Sequence, residues 1–89
     1  MAELDGRVVA IAGAAGGLGP EVARVLADRG ASLALGERSQ ERLDGVVADL
    51  GLPEDRVDAH AIDLLEDGAA GAWAEALTSR FGRGLTSNA

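Results

Sequence analysis

Ala12-Gly13-Ala14-Ala15-Gly16-Gly17-Leu18-Gly19-Pro20 is the stretch that decides the fold. It follows Arg7-Val8-Val9-Ala10-Ile11-Ala12, a short, nearly continuous apolar run of the kind that forms a strand buried on both faces of a parallel sheet. From Leu18 onward the spacing turns helical, with Leu18, Val22, Val25 and Leu26 on one stripe. Pro20 falls in the first turn, where its missing N–H costs nothing, and Gly30 stands where a left-handed C-terminal cap belongs. The stretch therefore reads as strand, tight glycine loop, helix.

The same unit recurs twice. Ser32-Leu33-Ala34-Leu35 reads as a second strand ending at Gly36-Glu37-Arg38. Ser39 is placed to cap a helix carrying Leu43, Val46, Val47 and Leu50, which Gly51 and Pro53 terminate. Val57 to Ile62 is a third strand, interrupted by Asp58 and His60. Asp63-Leu64-Leu65-Glu66 has capping-box spacing ahead of a third helix with Ala70, Trp73, Ala74, Leu77 and Phe81 on one face and Gly82 at its end. Three strand–helix units predict an α/β fold of Rossmann type: a three-layer αβα arrangement around a parallel sheet, with strand order 3-2-1. Residues 1–89 are expected to form a single domain. The tail Gly84-Leu85-Thr86-Ser87-Asn88-Ala89 is short and polar, so the fourth strand is expected to be missing or displaced, leaving strand 1 with an open edge.

Composition narrows the function. The 89 residues carry 15 carboxylates against eight basic residues, all arginine, for a net charge of −7. That balance argues against nonspecific nucleic-acid binding and against anionic membranes, which need a basic surface. No apolar run approaches the roughly 18 residues of a membrane span, and the N-terminus is acidic, so a soluble cytoplasmic protein is expected. There is no cysteine and a single histidine, His60, which excludes thiolate and multi-histidine metal sites. Alanine and glycine supply more than a third of the chain, so the core is thin, and self-association through the open edge is expected to support it. Tyrosine and lysine are both absent, so chemistry that needs a phenol or an amine cannot be performed by this chain alone.

A glycine loop between a buried strand and a helix N-terminus suits a pyrophosphate, because the helix end presents unpaired N–H groups and partial positive charge. Gly13 allows the sharp exit from the strand, Gly17 a close backbone approach to the ligand, and Gly19 tight packing of helix on sheet. Glu37 lies at the end of strand 2, 18 residues beyond Gly19. There it can accept hydrogen bonds from a ribose diol and repel a 2′-phosphate, whereas Arg38 could pair with that phosphate. The balance favours NAD, with NADP possible. Asp63 is either an N-cap or a neighbour of the adenine ring. His60 reads as a strand residue without chemistry, and the Glu41-Arg42 and Glu54-Asp55-Arg56 clusters as solvated charge.

These residues resemble the short-chain dehydrogenase/reductase family. The loop from Ala12 to Gly19 is similar to its Thr-Gly-x-x-x-Gly-x-Gly motif. The similarity continues through Gly30-Ala31-Ser32-Leu33-Ala34-Leu35, Glu37-Arg38-Ser39, Glu41-Arg42-Leu43, Asp63-Leu64 and Phe81-Gly82-Arg83. Gly13-x-x-Gly16-x-x-Gly19 also fits the family's extended branch, and Gly-Ala-Ala-Gly-Gly resembles malate dehydrogenases; the second and third units favour the main branch. The resemblance implies that Gly13, Ala15, Gly16, Gly17, Leu18 and Gly19 surround the pyrophosphate of a nicotinamide dinucleotide. It further implies that Glu37, beside Arg38, meets the ribose, and that Asp63 and Leu64 border the adenine. It implies hydride transfer between NAD(P) and an alcohol or carbonyl in a parent enzyme whose serine, tyrosine and lysine lie beyond the part represented here. Two departures stand out. Ala12 replaces the usual threonine that braces the loop, and the Asn-Asn-Ala-Gly motif of the fourth strand is lacking, with Ser87-Asn88-Ala89 only partly similar to it. The alternative is a non-catalytic dinucleotide-binding or structural module that self-associates through its sheet edge.

Overall fold

The computed structural model describes residues 3–82 and the backbone of residues 85–88; Arg83 and Ala89, which the resemblance touches, and Gly84 of the tail lie outside that range. The chain runs β1 (Val8–Ala12), α1 (Gly19–Asp28), β2 (Ser32–Glu37), α2 (Gln40–Leu50), a 3-10 turn (Glu54–Arg56), β3 (Val57–Ala61), α3 (Ala69–Phe81) and β4 (Leu85–Asn88). All pairings are parallel, in the order β3-β2-β1-β4. The expected 3-2-1 order is present, and the two sheet faces are covered by helices as the alternation within the strands dictates. Val9, Ile11, Leu33 and Leu35 pack with α1 and α2, whereas Val8, Ala10 and Ala34 pack with Trp73 and Leu77 of α3.

The expectation of a missing fourth strand is overturned. β4 pairs with β1 in the register Val8↔Leu85 to Ile11↔Asn88, so β1 has strands on both sides and its predicted open edge does not exist. Length and side-chain polarity misled the reading. A parallel pair is made by backbone groups, and a right-handed crossover through α3 delivers even a four-residue strand with three polar residues to the vacant flank of β1.

Three local expectations also change. β2 runs two residues further than Leu35, to Glu37. In α1 the core face is Ala23 and Ala27, with Val22 and Leu26 partly covered, while Leu18 and Val25 are exposed. Small residues win that face because the helix sits very close to the chain before it: a Cβ on Gly19 would lie 2.4 Å from the Ala14 carbonyl oxygen. Asp63 and Glu66 do not cap α3. Asp63 closes its own turn, and α3 begins only after Gly68, whose φ of +78° is left-handed. On α3, Trp73 and Leu77 are buried and Phe81 partly so, but Ala70 and Ala74 face outward. Ser39 caps α2 as expected, its hydroxyl accepting the Arg42 N–H at 3.3 Å, and Gly51 ends that helix at φ +60°.

Candidate dinucleotide site

The C-terminal ends of β1 and β2 and the loop into α1 enclose one corner of the molecule. Gly13 turns the chain out of β1 at φ +66°, and the Ala14 N–H then donates to the Gly36 carbonyl at 3.1 Å, tying the loop to β2. Gly16 N–H donates back to Gly13 at 3.0 Å and Gly19 N–H to Gly16 at 2.8 Å. Gly17 sits at φ +48°, a conformation that suits glycine. The backbone N–H groups of Gly17 and Leu18 have no acceptor among the described residues, and no side chain caps α1. Two unpaired amides at a helix N-terminus are a donor pair for an anion.

Glu37 stands beside this loop. Its Oε1 accepts the Ala15 N–H at 3.2 Å and its Oε2 the Ser39 N–H at 3.1 Å. The Ser39 N–H is the main reason the carboxyl is held below the ordinary glutamate value of 4.5. Partial burial opposes it, while the Ala15 N–H, the charge of Arg42 and the Arg38 N–H reinforce it. Each carboxylate oxygen has a second lone pair, so Glu37 keeps acceptor capacity for hydroxyls. An open recess lined by Gly13, Gly36, Glu37 and Arg38 on one side and Ile62, Asp63, Leu64 and Leu65 on the other adjoins it. A second recess, lined by Ile11, Ala12, Gly13, Gly16, Leu18, Gly19 and Val22, lies on the α1 side of Gly13. The two meet at Gly13, so a ligand spanning them would cross the glycine loop. Asp63 uses Oδ1 to accept the Leu65 N–H at 3.0 Å. The sequence-predicted residues are thus brought together at one corner; Ala15 and Gly17 line neither recess but form the loop between them.

Arginines read as solvated charge have definite partners. Arg42 donates from Nη2 to the Ala15 carbonyl at 3.1 Å, while Glu37 holds the N–H of the same residue. The loop is therefore braced from α2 and β2, where Ala12 offers no hydroxyl. Arg56 donates to the carbonyls of Ala27 and Ala31 at 3.0 and 2.7 Å, closing the end of α1. Neither contact leaves a periodic signature, because each joins residues more than 20 apart through a flexible side chain. At the far corner Asp58, buried on β3, accepts from Arg80 at 2.7 Å and lies 2.7 Å from His60 Nδ1.

This arrangement of glycine loop, helix N-terminus and carboxylate at the end of β2 is that of a dinucleotide fold of the short-chain type. The chain belongs to the short-chain dehydrogenase family, whose pattern matches residues 7–89. It is 32% identical over 80 residues to D-threitol dehydrogenase of Mycolicibacterium smegmatis, covering 90% of this chain and 31% of that protein. Among solved structures it is similar to a short-chain dehydrogenase/reductase described as a glucose/ribitol dehydrogenase from Brucella melitensis. That likeness has a TM-score of 0.80 and 31% identity, over 88% of this chain and 33% of the other. It is also similar to a 3-ketoacyl-(acyl-carrier-protein) reductase from the same organism, solved with NADH, with a TM-score of 0.78 and 31% identity over 91% of this chain and 32% of that one. The chain spans about a third of the length of these relatives.

Proposed function

We propose that residues 1–89 form one nicotinamide-dinucleotide-binding unit, the cofactor-holding portion of an oxidoreductase that moves hydride between NAD(P) and an alcohol or carbonyl. The observation that carries this reading is the pair of unpaired amides, Gly17 and Leu18, set beside a carboxylate already oriented by Ala15 and Ser39. In it, the amides hold the diphosphate, Gly13, Gly16 and Gly19 keep the loop close to it, and Glu37 takes the ribose diol. Asp63, with Oδ2 outside its turn, and Leu64 border the adenine. A bound nicotinamide would supply the hydride acceptor or donor; the chain's own residues bind and orient the adenosine end. Glu37 beside the ribose favours NAD, since a 2′-phosphate would meet its charge, and Arg38 is the residue that would admit NADP. The NADH in the Brucella melitensis reductase supports the class of ligand.

With neither tyrosine nor lysine in the sequence, no turnover is expected from these 89 residues alone. That absence also favours a second reading, a dinucleotide-binding or structural module without catalysis. Titration with NAD, ADP-ribose and NADP separates the two. Binding of ADP-ribose, with NAD tighter than NADP, supports the cofactor unit; no binding of any at millimolar concentration leaves a structural module. A cytoplasmic location is part of this proposal; no helix among the described residues is long and apolar enough to cross a membrane. Homo-oligomer formation through β1 is withdrawn, because β4 covers that edge. The thin core still favours association by another surface, and sedimentation should give a species heavier than 9.0 kDa, with a stable monomer counting against it.

A further inference from the structure

Arg42 occupies the first turn of α2, where the positive end of the helix makes a cation electrostatically unfavourable. Its side chain reaches across to the glycine loop, 27 residues away in sequence, and Nη2 donates to the Ala15 carbonyl. The Ala15–Gly16 peptide is then held at both ends, its carbonyl by Arg42 and its N–H by the Gly13 carbonyl. The preceding peptide is held as well, since the Ala15 N–H donates to Glu37. A closed circuit results: Ala15 to Glu37, Glu37 to the Ser39 N–H, Ser39 Oγ to the Arg42 N–H, and the Arg42 guanidinium back to Ala15. The two amides without acceptors, Gly17 and Leu18, follow directly after the fixed peptide. Gly17 adopts a positive φ with no Cβ to limit it, so its direction depends on what anchors the residues before it.

We infer that Arg42 is a positioning residue for the diphosphate: by holding the Ala15 carbonyl it fixes the loop so that the Gly17 and Leu18 amides converge on one anion. Arg42 itself does not touch the ligand. The inference rests on the dinucleotide reading of this corner and adds a residue to it.

The test compares wild type, Arg42→Ala and Arg42→Lys by amide hydrogen exchange and by NMR titration with ADP-ribose, 2′-phospho-ADP-ribose and adenosine. Arg42→Ala should speed exchange of the Ala15 and Gly16 amides in the free protein. It should weaken ADP-ribose about 3- to 10-fold, the range expected when one exposed hydrogen bond of ordinary strength is lost from the loop. Adenosine, which lacks the diphosphate, should bind all three proteins equally, and Arg42→Lys should recover part of both effects. Unchanged exchange in Arg42→Ala would overturn the inference. So would an affinity loss confined to the 2′-phosphorylated ligand, which would put Arg42 in direct contact with that phosphate. If wild type binds no ADP-ribose, the cofactor reading falls, and with it the diphosphate half of the inference. Exchange then decides by itself whether Arg42 orders the loop.

Discussion

The two faces of the sheet are packed by different means. Where α1 enters, contact is made close to the backbone: Gly19 meets Ala14, Ala23 and Ala27 are buried, and the loop is tied by hydrogen bonds to β2 and α2, while Leu43, Val46 and Leu50 of α2 fill the rest of that face. On the α3 side one large side chain fills the gap, with Trp73 Cζ2 and Cη2 resting where a Cβ on Gly36 would be, 2.9 Å away. Leu77 packs beside it, and the Asp58–Arg80 pair ties the end of the helix to β3. Glycine thus serves opposite purposes on the two faces, admitting a peptide group in one case and an indole edge in the other. The difference suits the proposed function. A phosphate-binding loop needs its amides held to within a fraction of an ångström, which backbone contacts provide. The face away from that loop needs only to be filled.

The sharpest test of this contrast is Gly19→Ala. Its Cβ would lie 2.4 Å from a backbone oxygen that cannot move without shifting the loop, so a loss of about 3 kcal/mol in urea denaturation is expected. A cost under about 1 kcal/mol would mean that the α1 side yields as readily as the other. Next in size is Asp58→Ala, which removes the buried partner of Arg80. Because the Arg80 side chain is 39% exposed and can reach water, the expected cost is about 2 kcal/mol, less than for a fully buried pair. Gly36→Ala should cost about 1 kcal/mol, since a side chain can give way. Combined with Trp73→Phe, that cost should shrink, and a double-mutant cycle showing no coupling would remove the indole from the account.

The smallest effect expected is a pH dependence. Glu37 has a lowered pKa in the folded protein, so its contribution to stability is fully present above the unfolded glutamate value. It is lost as pH falls through the folded value, which lies below 4.5. The difference in urea midpoint between wild type and Glu37→Gln should therefore hold steady from pH 7 to about 5 and close only on further acidification. A difference that closes near neutrality would point to another titrating group.

Much of this was legible because the sequence writes backbone requirements plainly. Gly13, Gly17 and Gly51 stand where φ is positive, Ser39 caps α2, and the apolar runs mark β1 and β2. Glu37 could be placed by its distance from the glycine loop. Other features had no such mark. β4 pairs through main-chain groups that its polar residues do not advertise. The core face of α1 is alanine, which a hydrophobic-stripe argument passes over in favour of Leu18 and Val25. Asp63 and Glu66 have the spacing of a capping box, yet the turn they form stops short of the helix. Arg42 and Arg56 reach carbonyls distant in sequence, and nothing local to them indicates which ones.

The central claim is that the Gly17 and Leu18 amides form the anion-binding end of a dinucleotide site. Titrating the ¹⁵N-labelled chain with ADP-ribose tests it most directly. The account predicts saturable shifts that are largest at the Gly17 and Leu18 amides, with smaller ones at Ala15 and Glu37. An absence of shifts at millimolar ligand, or shifts centred away from this corner, would contradict it.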